Sequence, residues 1–303
     1  MYYLAEVFPF LKRFSKLPLT RDQLILIIAA INELFMGLDT YLAHGLNGTI
    51  RWNEWIPILF GTIAGILLIL AGLLASKQRL TANLIASIVF VASIIVGFLG
   101  AYFHVARGAI LPYGPLDERL NIAFLIWAPP AIAPLAFVLV GVLGISAAWI
   151  ETPTGSGRLQ LTQKRSLQMP FSKTRAYFMM VSFGIVVTLV SSTLDHARTG
   201  FLNAWLWLPL VVPLVAALVA FLIGLKNKPD LSDLSTYTFL MLLMASVGGI
   251  GFILHVLSDL TPSGQFVFER FLRGAPFLAP LLYANMAAMG LIVLLDPHEK
   301  IKS

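Results

Sequence analysis

Four of the five histidines in this 303-residue chain form two pairs that recur at a near-constant offset, His196 lying 152 residues after His44 and His255 lying 151 after His104. Imidazole is a ligand for haem iron, copper, zinc and non-haem iron, and an ionisable side chain beside a long apolar run is costly unless it serves a site. The neighbours recur too: Gly97, Gly100, His104 and Val105 reappear as Gly248, Gly251, His255 and Val256. Each pair therefore reads as a candidate metal or axial-ligand site.

Gly100 and Gly97 stand one and two helical turns before His104, as Gly251 and Gly248 stand before His255, so each set shares a helix face with its histidine. That pattern predicts a groove for a flat macrocycle; close packing of membrane helices through small residues is the rival reading. Glu118-Arg119 recurs as Glu269-Arg270. The glutamates are candidates to accept the second ring N–H of a ligating histidine, and the arginines to bind haem propionates, with anchoring of a helix end in water as the alternative. Glu33 lies about three turns before His44 on one face and is either a candidate proton relay to the first site only, since Ile185 takes its place in the second copy, or a protonated acid satisfied by a neighbouring helix. His298 lies outside the repeat.

The elements that position these residues are long and apolar. With 58% hydrophobic and 12% charged residues the bilayer is the expected solvent. Eight spans are predicted, at about 22–46, 55–76, 82–107, 119–148, 175–197, 204–225, 235–258 and 274–296. Further landmarks keep their order: Trp55-Ile56-Pro57 matches Trp207-Leu208-Pro209, and Pro130, Ala133, Pro134 and Leu135 match Pro276, Ala279, Pro280 and Leu281. Four spans per copy is an even number, so both copies enter the membrane from one side. The expected fold is an all-α integral membrane protein whose eight transmembrane helices are a parallel tandem duplication of a four-helix bundle. Its parts are an N-terminal cytoplasmic or interfacial segment 1–20, a first membrane repeat 21–149, a cytoplasmic linker 150–174, a second membrane repeat 175–297 and a tail 298–303.

Fifteen of the 21 lysines and arginines fall at the termini or in the loops leading from even to odd spans, which puts both termini in the cytoplasm and all four histidines near the outer face. A prokaryotic plasma membrane is the expected location. The net charge of +6 follows from this topology and calls for no nucleic-acid partner. The absence of cysteine excludes disulfides, thiolate metal sites, iron–sulfur clusters and covalent c-type haem.

In an up-and-down four-helix bundle the first and third helices face each other across the core, so His44 can meet His104 and His196 can meet His255. Eight spans with one histidine pair per half resemble, in outline, the haem A synthases and other duplicated b-type cytochromes. The Glu-x-x-x-His motif that haem A synthases carry at the start of even-numbered spans is missing here, where the histidines end odd-numbered ones, so no residue role is carried over. The expectation is a membrane b-type cytochrome-like protein, for electron transfer or haem handling, with up to two haems b and a quinol or a redox partner complex. The alternatives are a copper, zinc or iron protein or permease using the same histidines, including a single four-histidine site, and a structural or transport subunit without cofactor.

Overall fold

A computed structural model of the chain describes residues 3–13, 19–46, 48, 50–75, 77–109, 119, 132–161 and 165–295. The chain is mainly helical: α1 (Tyr3–Val7), α2 (Arg21–Gly45), α3 (Trp55–Leu74), α4 (Arg79–His104), α5 (Leu135–Ala148), α6 (Lys173–Ala197), α7 (Leu208–Leu225), α8 (Leu231–Asp259), α9 (Phe268–Arg273) and α10 (Leu281–Val293). Six of them, α2, α3, α4, α6, α7 and α8, are long and apolar enough to cross a membrane. Leu59, Ile63, Ile66, Leu70 and Leu73 line an exposed side of α3, which suits lipid contact.

Where eight spans are predicted, the described residues show six helices long enough to cross a membrane and two shorter apolar ones, α5 and α10. The 13 residues of α10 reach only about 20 Å at 1.5 Å per residue, less than the hydrocarbon thickness. The cause is the repeated proline: Pro280 and Pro134 lack an N–H and restrict the residue before them, so α10 and α5 each start one residue after a proline. Most of the segment preceding α5 lies outside the described residues.

Helix starts carry matching chemistry. The Thr20 hydroxyl accepts from Gln23 N at 3.2 Å while the Gln23 side chain accepts from Thr20 N at 2.9 Å. Ser172, 152 residues later, accepts from Arg175 N at 3.4 Å and starts a helix of the same 25-residue length. α2, α3, α4 and α5 touch in a closed ring, and α6, α7, α8 and α10 do the same. Close approach needs glycine: a Cβ on Gly61 of α3 would lie 2.6 Å from the Glu33 carbonyl oxygen and 2.7 Å from Gly37 N, both on α2.

The two rings meet through α2, α5, α6 and α10, with one hydrophobic cluster running across them. Asn285 Nδ2 of α10 donates to Asn32 Oδ1 of α2 at 2.7 Å. Lys173 of α6 donates to Asp22 of α2, and Arg21 of α2 donates to Thr174 of α6 at 2.8 Å. Tyr177 adds a hydroxyl donor to Asp22 at 3.0 Å, so the buried carboxylate is well satisfied.

The stretch read as a plain linker is structured. β1 (Ile150–Glu151), β2 (Arg158–Gln160) and β3 (Ser166–Gln168) form a small antiparallel sheet in the order β1-β2-β3, with Ile150 opposite Gln160 and Leu159 opposite Leu167. The Glu151 carboxylate accepts from the backbone N–H groups of Gly155, Gly157 and Lys173 at 2.9, 2.7 and 2.9 Å. One acid thus ties the turn of the sheet to the first residue of α6.

Candidate histidine sites

His44 lies at the last turn of α2, His104 ends α4, His196 is next to last in α6 and His255 lies in the last turn but one of α8. Their rings meet in pairs: His44 and His104 have centroids 6.1 Å apart and planes at 55°, and His196 and His255 are 6.4 Å apart at 83°. Among the described residues, no three His, Cys, Asp or Glu side chains gather as a metal site, so the four histidines form two separate pairs and not one cluster.

Ring nitrogens can be assigned from their partners. His255 Nδ1 lies 3.2 Å from the carbonyl oxygen of Pro276, and since a carbonyl only accepts, Nδ1 carries a proton and, in the neutral ring, Nε2 has the free lone pair. His196 Nδ1 is 3.3 Å from the Ser192 hydroxyl. In the other pair, His44 Nδ1 is buried and has no hydrogen-bond partner. Thr40, the counterpart of Ser192, turns back to donate to Met36 O at 2.6 Å.

The glycine faces are filled, which corrects the expectation of a groove. A Cβ on Gly97 would lie 2.7 Å from Val138 Cγ2 and 2.9 Å from Pro134 O, and one on Gly100 would lie 2.8 Å from Pro134 Cβ. Gly248 and Gly251 repeat the arrangement against Pro280 and Ala284. These glycines let α5 and α10 seat against α4 and α8. Space at the turns below His104 and His255 that a macrocycle would need is taken by helix packing, so the residues there do not fit haem.

Two further expectations are corrected. Arg270 spends its guanidinium on the end of α8, donating through Nε to Asp259 O at 2.8 Å and through Nη2 to Leu260 O at 2.9 Å, which is a helix-capping role. Glu269 is exposed and pairs with Arg273 at 3.0 Å, so it is not the acceptor for His255; a backbone carbonyl is. Glu118 lies outside the described residues, and Arg119 is described only as a single half-buried residue.

Two carboxylates near the pairs carried no repeat signal. Glu54 acts electrostatically on His44, and Asp195 on both His196 and His255. Glu54 also accepts from Arg51 N at 2.8 Å and lies 3.7 Å from Arg107. Ala43 and Leu206 occupy the matching places in the other copy, so repeat analysis could not find either acid. Past His104 the chain widens into a π-helical turn, Val105–Ala109, absent beyond His255, where α8 continues regularly to Asp259.

Compared with known proteins, the chain matches no family model, no curated sequence and no solved structure.

Proposed function

We propose that this is a copper-handling membrane protein in which two histidine pairs, one per four-helix unit, each hold a single Cu(I) ion near the outer face. The observation that carries the reading is the pairing of imidazoles at 6.1 and 6.4 Å. Two metal–nitrogen bonds of about 2 Å in line, plus the ring radii, give a centroid separation of about 6 Å. The buried, unpartnered His44 Nδ1 and the carbonyl-fixed tautomer of His255 supply lone pairs directed by their surroundings.

Donor number selects the metal. Zinc sites take three or four protein ligands, and the non-haem iron triad takes two histidines and a carboxylate, whereas each pair here brings two donors among the described residues. A closed-shell Cu(I) ion accepts two imidazoles in line. The nearby Glu54 and Asp195 offset its positive charge in a low-dielectric setting. Bound copper supplies one-electron chemistry or is itself the cargo. His44, His104, His196 and His255 hold it, and Ser192 and Pro276 O fix ring orientation.

The reading includes eight spans in a parallel tandem duplication, supported by the equal offsets of the helix caps, the two closed rings and the reciprocal contacts between α2 and α6. The opposite ends of α2 and α6 are closed by the Asp22–Lys173 cluster. That arrangement favours capture and presentation of the ion at one face over passage through either unit.

The deciding experiment is elemental analysis and an absorption spectrum of the detergent-purified chain after loading with Cu(I) under reducing conditions. The expected result is two coppers per chain and no Soret band. A Soret band on the purified protein returns haem as the cofactor; copper binding unchanged by both His104→Ala and His255→Ala leaves the pairs a packing role.

A further inference from the structure

Glu33 lies midway along α2 and is fully buried, at 0% exposure. Its Oε1 is 2.5 Å from Ser93 Oγ of α4, and that same hydroxyl is 2.8 Å from the carbonyl oxygen of Phe137 in α5. Oε2 has no hydrogen-bond partner. Among the described residues no ionised group of α3, α4 or α5 acts on the carboxyl; Ser93 is the one side chain that does.

Proton counting decides its state. A serine hydroxyl has one proton, and a carbonyl oxygen only accepts, so the short chain of three oxygens closes when Ser93 donates to Phe137 O and Glu33 donates to Ser93. A carboxylate would put two acceptors on one proton and leave an uncompensated charge at mid-membrane depth. The carboxylic acid satisfies every contact except the free Oε2.

The second unit provides an internal control. The places of Glu33 and Ser93 are taken by Ile185 and Met244, both fully buried, and that of Phe137 by Tyr283. Hydrocarbon therefore fills the same position in the same kind of helix ring, and packing alone has no need of an acid there.

We propose that Glu33 is a proton-binding site inside the membrane, a neutral carboxylic acid held by Ser93 and the Phe137 carbonyl, which the first unit has and the second lacks. The ligand is a single proton, held on the carboxyl. The site is independent of copper binding and does not rest on that reading.

A hydrophobic carbodiimide tests it, because only a protonated carboxyl in an apolar setting reacts readily. The acid proton goes to one carbodiimide nitrogen and the carboxyl oxygen adds to the central carbon, with nothing released. The full chain in detergent or lipid at neutral pH is treated with dicyclohexylcarbodiimide and mapped by peptide mass, alongside infrared spectra of untreated protein. The expected result is label on Glu33 and a carboxylic-acid carbonyl band, both lost in Glu33→Gln, which keeps the shape and can still donate to Ser93. Glu33→Ile with Ser93→Met, which installs the second unit's own residues, should fold and lose both signals. Absence of label at Glu33 together with an unchanged infrared spectrum in Glu33→Gln overturns the proposal; Glu33→Gln keeps the test decisive should the double variant fail to fold.

Discussion

The Lys173 ammonium is bonded to the Asp22 carboxylate where α2 and α6 start, with both side chains almost entirely shielded from solvent. Trp149 O accepts a second bond from the ammonium at 2.6 Å, and Tyr177 supplies the carboxylate with another donor. The two helix rings are thus pinned together by a charge pair that is satisfied only when both partners are present.

Removing one member leaves the other buried and unpaired, so Lys173→Met or Asp22→Leu should each cost about 3–5 kcal/mol. The pair Asp22→Leu with Lys173→Met should be less damaging than the sum, read from thermal unfolding in detergent. Strict additivity would mean that the two groups do not depend on each other.

His104→Ala should halve bound copper and leave the His196–His255 pair loaded, and His255→Ala should do the reverse. Elemental analysis per mole of chain checks both. Loss of all copper from one substitution would point to a shared site, against the separation of the pairs seen here.

Gly97→Ala should destabilise by about 1–3 kcal/mol through overpacking, because its new carbon meets backbone as well as Val138. Gly248→Ala should behave alike against Pro280 and Ala284. Copper per folded chain should be unchanged. A drop in copper without a drop in unfolding temperature would restore a site role to the glycine face.

The exposed Lys226 donates to both Asp233 oxygens, at 2.5 and 2.7 Å, and the bond to that carboxylate holds its pKa above the usual lysine value. A raised folded-state value means the contribution is fully present below the ordinary lysine range and fades as pH climbs through the folded value. Asp233→Asn should therefore lower stability slightly at neutral pH, by an amount that shrinks in strong alkali. Unfolding midpoints across that range provide the check.

Much of this was legible from spacing alone. His44, His104, His196 and His255 announced themselves because ligand-type residues recurred at a near-constant offset within long apolar helices. The glycines recurred equally well and misled, since a sequence shows that a side chain is missing but not whether Pro134 or Pro280 has moved into its place. Arg270 and Glu269 misled for a related reason: proximity in sequence to a helix end does not say whether a carbonyl or a histidine takes the hydrogen bond. Asp22 with Lys173 was invisible because the partners lie on distant helices and their types are unremarkable singly; Glu33 stood out as an acid within an apolar span, but its partner Ser93, on a distant helix, did not. Glu54 and Asp195 broke the repeat, so the very signal that found the histidines hid the acids beside them.

The cross-pairing of α2 and α6 has a consequence for how such a chain assembles. Arg21 and Lys173 occupy equivalent places, as do Asp22 and Thr174, so each helix offers its cation to the other's next residue. This is the contact pattern of a self-complementary twofold dimer, written into a single polypeptide. The acid stands on one side only. Two copies of the second unit would face each other with lysines and no carboxylate between them, while the first unit carries both signs. The single aspartate thus makes the covalent partner the preferred mate for the second unit, and disfavours homotypic pairing between second units.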